Sequence, residues 1–166
     1  MSKKIAITWV TLTVAALLLA ACNVEARGNP RESMTVESRI TEAELQEIID
    51  ESLADPLIRN LDVDMREGYV FVTAERERFD GSATDTMTFR LDLGVSDGHL
   101  TASISDAQLD GQPVDAERVA LWNERIANRL EKAGQRRADS SLQSVSISSE
   151  NVTMVWRVET ARSRDE

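Results

Sequence analysis

Residues 84–109 read TDTMTFRLDLGVSDGHLTASISDAQL, and this stretch decides the fold. Met87, Phe89, Leu91 and Leu93 alternate with Thr86, Thr88, Arg90 and Asp92, the period of a strand with one buried face. Asp97-Gly98 then breaks the pattern with the residue pair that tight antiparallel hairpins favour. Beyond the turn Leu100, Ala102 and Ile104 point inward, after which the inward parity slips to Ala107 and Leu109. A slip of one residue inside a strand predicts a bulge near Asp106.

The same logic extends in both directions. Leu61, Val63 and Met65 alternate with Asp62, Asp64 and Arg66, and Glu67-Gly68 turns the chain into Tyr69–Ala74, which is apolar on both faces. Further upstream, Thr41 and Glu44 fit a capping box for a helix over 42–54, with Leu45, Ile48, Ile49, Ser52 and Leu53 on one face. Pro56 prevents its continuation. Downstream, Pro113 and the N-cap candidate Asp115 open a second helix that Gly134 is placed to stop. Ala116, Val119, Trp122, Ile126, Leu130 and Ala133 form its apolar stripe, and Leu121 lies opposite that stripe. Two strands near 142–148 and 152–159 close the chain, the second with Val152, Met154, Trp156 and Val158 on one face. The order α-β-β-β-β-α-β-β predicts an α+β domain: a curved antiparallel sheet of about six strands packed on a long amphipathic helix.

The N-terminus has a different character. MSKKIAITWVTLTVAALLLAAC begins with Lys3 and Lys4, continues uncharged and mainly apolar from Ile5 to Leu19, and ends in small residues before Cys22. That is the layout of an export signal. The apolar run falls short of the roughly 20 residues a spanning helix needs. Leu19-Ala20-Ala21-Cys22 resembles the lipobox of bacterial lipoproteins. The resemblance implies cleavage between Ala21 and Cys22 and attachment of a diacylglyceryl group to the Cys22 sulfur. Cys22 is the sole cysteine, so no disulfide can form within the chain, and lipidation removes an otherwise exposed thiol. Two or more acyl chains give a stable anchor where one is marginal. The expected organisation is a signal peptide over 1–21, the lipidated cysteine and a flexible tether over 22–38, one domain over 39–160 and a polar tail over 161–166. The resemblance places the protein in the cell envelope. In a Gram-negative cell Asn23 implies the periplasmic side of the outer membrane; otherwise the outer face of the plasma membrane is expected.

Charge narrows the partners. The formal net charge is −10, and losing Lys3 and Lys4 with the leader makes it −12. Lys132 is then the sole lysine beside sixteen arginines, with no basic stripe, which argues against nucleic acid. Electrostatic adhesion to anionic headgroups is disfavoured for the same reason.

The residues offer little catalytic chemistry. His99 is the only histidine and follows a turn; it reads as an exposed start-of-strand residue. No second histidine or free cysteine exists for a zinc site, and there is no nucleophile elbow or phosphate-binding loop. Asp62 and Asp64 share a strand face, but a solvated alternating strand produces that spacing without any metal. The expectation is a non-enzymatic protein with no cofactor and no metal.

The element order from 39 to 160 resembles small bacterial members of the tubular lipid-binding families, in which a curved sheet and a long helix enclose an apolar groove. That resemblance implies a lipid or other hydrophobic ligand, lined by Ile48, Met87, Phe89, Leu91, Trp122, Ile126, Met154 and Trp156. The alternative is an envelope interaction, assembly or inhibitor module working through a sheet edge or helix face. An unfilled apolar cavity favours the first reading; a solid core with an exposed apolar patch favours the second.

Overall fold

A computed structural model describes residues 33–159; Ala21, Cys22, the rest of the leader, residues 23–32 and the tail 161–166 lie outside the described residues. Chain order is β1 (Ser33–Thr41), α1 (Glu42–Leu53), β2 (Ile58–Arg66), β3 (Tyr69–Glu77), β4 (Thr84–Ser96), β5 (His99–Leu109), β6 (Gln112–Pro113), α2 (Ala116–Gly134), β7 (Ser140–Ile147) and β8 (Asn151–Glu159). The class is α+β, with two open antiparallel sheets ordered β2-β3-β4-β5-β6 and β1-β8-β7. The expected single sheet of about six strands is thereby corrected. Alternation along a strand records which face is buried, not which strand lies beside it.

Local signals act where they were expected. The Thr41 hydroxyl accepts from Glu44 N–H while the Glu44 carboxylate accepts from Thr41 N–H, closing the capping box. Asp115 caps α2 by accepting from the Glu117 and Arg118 N–H groups. In the β4–β5 ladder the register shifts between Thr88 and Arg90, opposite Asp106, whose φ is 53°. This is the bulge the parity slip requires.

Two sequence expectations change. Residues 33–38, expected as the end of the tether, form most of β1, which pairs with β8 along its whole length. Ser38 in β1 is buried, and its hydroxyl accepts a 2.9 Å hydrogen bond from the Trp156 indole N–H. A polar residue at an inward position hides the strand from a hydropathy reading. Gly134 also has a different purpose. It is the last residue of α2, and the C-cap Gln135 is extended rather than left-handed, so no glycine-type stop occurs there. A Cβ on Gly134 would lie 2.5 Å from Met154 Sδ and 3.2 Å from Ser38 Oγ. Glycine lets the helix end approach the three-stranded sheet.

One core unites the elements. The inner faces of both sheets meet α1 and α2 in a single cluster that includes Leu45, Ile49, Val72, Phe89, Leu130 and Trp156. The sheets join at β7, against which two hairpin tips dock. Gly68 N–H donates to the Ile147 carbonyl at 3.0 Å, and Leu142 N–H donates to the Gly98 carbonyl at 2.8 Å. α2 runs beside β5, where the Asn123 side-chain oxygen accepts from Ile104 N–H and the Glu131 carboxylate from Leu100 N–H.

Candidate functional site

The fold brings together the eight apolar residues that the tubular lipid-binding resemblance implies as ligand lining. Met87, Phe89 and Leu91 on β4, Trp122 and Ile126 on α2, and Met154 and Trp156 on β8 all lie in the central cluster, none more than 4% exposed. Ile48 on α1 is half-buried against it. The Phe89 and Trp122 rings sit 6.2 Å apart at 31°, and the Trp156 indole is fixed by Ser38. These side chains contact one another. They pack as a core.

The opposite face of the five-stranded sheet is different. Tyr69 and Phe71 stand two apart on β3, so both point outward, flanked by Arg66 on β2 and Arg90 on β4. The Arg90 guanidinium lies 4.0 Å from the Tyr69 ring centre, and that of Arg66 lies 5.8 Å from Tyr69 and 5.4 Å from Phe71. Each guanidinium is drawn to the ring face by the ring's quadrupole, a modest attraction at exposed positions. Each arginine is oriented by a carboxylate two residues away on its own strand, Arg66 by Asp64 at 2.6 Å and Arg90 by Asp92 at 2.6 Å. The hydrogen bond from Arg90 holds the Asp92 carboxyl below its ordinary value. The outcome is a preorganised patch of two aromatic rings and two planar cations on an open sheet face. Tyr-Val-Phe-Val is apolar on both faces, so the pattern alone does not single out the outward pair. The signal available was two aromatics sharing the parity of neighbouring Thr, Arg and Asp positions.

The remaining polar candidates are tied into the scaffold. Asp64 serves Arg66, and no cluster of three potential metal ligands occurs among the described residues. The Glu75-Arg76-Glu77-Arg78 run splits its bonds outward, with Glu75 accepting from Asn60, Arg76 bound to Asp55, Glu77 to Arg59 and Arg78 to Asp85. Burial pushes the Asp55 carboxyl up, but hydrogen bonds from Arg76 and from Leu57 N–H outweigh it and leave the group below its ordinary value. His99 Nδ1 lies 2.9 Å from Glu131 Oε1, and that hydrogen bond and charge raise the imidazole pKa. Glu131 thus joins His99 and the Leu100 N–H to α2.

Two further surface features stand out. A groove of about 550 Å³ runs between α1 and the outer end of β2, lined by Gln46, Glu47, Asp50, Ile58, Arg59 and Leu61 among others. Phe79 is 96% exposed at the tip between β3 and β4, and Leu121 on α2 is 43% exposed. Among the described residues no helix is long and apolar enough to cross a membrane.

The chain matches no protein-family model, no curated protein and no solved structure.

Proposed function

We propose that this chain is a bacterial envelope lipoprotein, held at a membrane by lipid on Cys22, whose domain binds another envelope protein rather than transforming a substrate. The observation that carries the reading is the Arg66–Tyr69–Phe71–Arg90 patch. Tyr and Arg dominate the energetics of protein interfaces because each offers large contact area and directional bonding. Here they are oriented in advance by Asp64 and Asp92, which lowers the ordering cost of binding. The filling of the core by the residues first assigned to a ligand supports the same choice. The ion pairing of its charged groups favours a scaffold role for them over acid–base chemistry.

The competing reading has the sheet curve about a long amphipathic helix and admit a lipid between them. One measurement tests the anchor and two others separate the readings. Radiolabelled palmitate should enter the wild-type chain and not Cys22→Ala, which should also leave the membrane fraction. A photo-crosslinking amino acid at position 69 or 71 should give one discrete adduct in cells, lost on Arg90→Ala. Native mass spectrometry that finds stoichiometric lipid in the domain, with no adduct at 69 or 71, would overturn the interaction reading.

A further inference from the structure

Two open sheets have four edges, and an unprotected edge pairs with other chains. Three of the four are blunted. β2 is broken by a register shift between Arg59 and Asp62, with Asn60 at a φ of 49°, and Gln46 Nε2 donates to the Leu61 carbonyl. The β5 edge is covered by Asn123 and Glu131 of α2 and then by the two-residue β6, which ends in Pro113. β7 carries a register shift between Leu142 and Ser144, and its outer groups engage Gly68 and Gly98 at the hairpin tips.

At Thr41 the edge N–H is taken by the Glu44 carboxylate, but from Ser33 to Arg39 β1 carries none of these devices among the described residues. It pairs with β8 from Ser33 to Thr41 without a register shift, and it contains no proline, lysine or glycine. Its core face is incompletely covered at the start, where Met34 is 49% exposed and Val36 half-buried.

We propose that the occupant of this edge is β1 of a second copy, paired antiparallel about a two-fold axis at Ser38. A two-fold edge pairing requires the strand to be complementary to itself read backwards. With Ser38 opposite its own copy, Glu37 faces Arg39 of the partner subunit, and Arg39 faces Glu37 of the partner subunit. On the core face Val36 falls opposite Ile40 of the partner subunit, extending the apolar surface across the junction. Shifting the axis to Glu37 would set two carboxylates against each other, so the charge pattern selects one register. In the single chain Glu37 and Arg39 form an exposed pair at 2.8 Å, and these two groups are free to exchange partners across the axis. The product is a continuous sheet ordered β7-β8-β1-β1-β8-β7. This inference stands apart from the binding role proposed for the Arg–Tyr–Phe patch, which lies on the other sheet.

The test is a sedimentation-equilibrium concentration series on the full chain in a density-matched non-ionic detergent. Wild type should show reversible monomer–dimer exchange. Glu37→Arg and Arg39→Glu should each weaken the dimer about tenfold, because each places like charges opposite one another twice. Glu37→Arg combined with Arg39→Glu should restore it. Both side chains are exposed, at 48% and 67%, so the variants should retain the wild-type circular dichroism and melting curve. A chain that stays monomeric throughout the series would overturn the proposal. So would a dimer indifferent to both single variants, or one weakened equally by the double exchange.

Discussion

Replacing Gly134 by alanine separates two explanations of that residue, and the structure fixes the sign. At an unstrained helix position the change should stabilise, since glycine costs about 1 kcal/mol relative to alanine in a helix. Here the added methyl would sit 2.5 Å from Met154 Sδ, 3.2 Å from Ser38 Oγ and 3.4 Å from Trp156 Cζ2. Met154 is fully buried, so its sulfur must move about 1 Å within the core, and such overpacking costs about 1–3 kcal/mol. Ser38 cannot retreat without stretching the 2.9 Å bond it accepts from Trp156, which is worth about 1 kcal/mol. Setting the propensity gain against these terms leaves Gly134→Ala destabilised by about 1–3 kcal/mol. Urea unfolding followed by tryptophan fluorescence is the natural assay, because Trp122 and Trp156 are both buried. The midpoint should fall with an unchanged m-value. Adding Met154→Ala should relieve the clash, so the double variant should lose about 1 kcal/mol less than the sum of the single changes. A Gly134→Ala protein more stable than wild type by about the propensity gain would refute the close-packing argument.

Ser38→Ala should cost about 1–3 kcal/mol by leaving the Trp156 N–H buried without a partner, and a red-shifted tryptophan emission would accompany the lower urea midpoint. Because Glu131 raises the His99 pKa, the stability this pair contributes is complete below the ordinary histidine value of 6.5 and fades as pH rises through the raised value. Melting temperature measured from pH 5 to 9 should therefore show a decline above pH 6.5 that His99→Gln removes; an identical decline in the variant would contradict it. Asp55 has the opposite sign, its pKa lying below the ordinary 3.8, so its contribution is present above that value and is lost as pH falls through the lowered one. Asp55→Asn should destabilise by about 1–2 kcal/mol at pH 7 and flatten the acid limb of the stability profile.

The alternation in 84–109 and the Thr41–Glu44 and Asp115 caps all survive into the structure. Each of these features depends on residues a few positions apart, so its energetics are already present in the local chain. Strand β1 was missed because its inward positions include Ser38, whose burial is acceptable only once Trp156, 118 residues away, supplies a donor. The division into two sheets was equally invisible, since it rests on β1 finding β8 and on the Gly68 and Gly98 turns reaching β7. The candidate patch is barely legible in the sequence: the period puts Tyr69 and Phe71 on one face of an element apolar on both, while the stacking of Arg66 and Arg90 upon them needs three strands side by side. Sequence alone thus determined which elements form and which faces they bury, because period, capping and turn chemistry act within one or two turns of chain. Tertiary structure decided which edges are shared, why Gly134 is glycine and where rings and guanidinium groups meet, because those energies exist only between segments that the fold brings together.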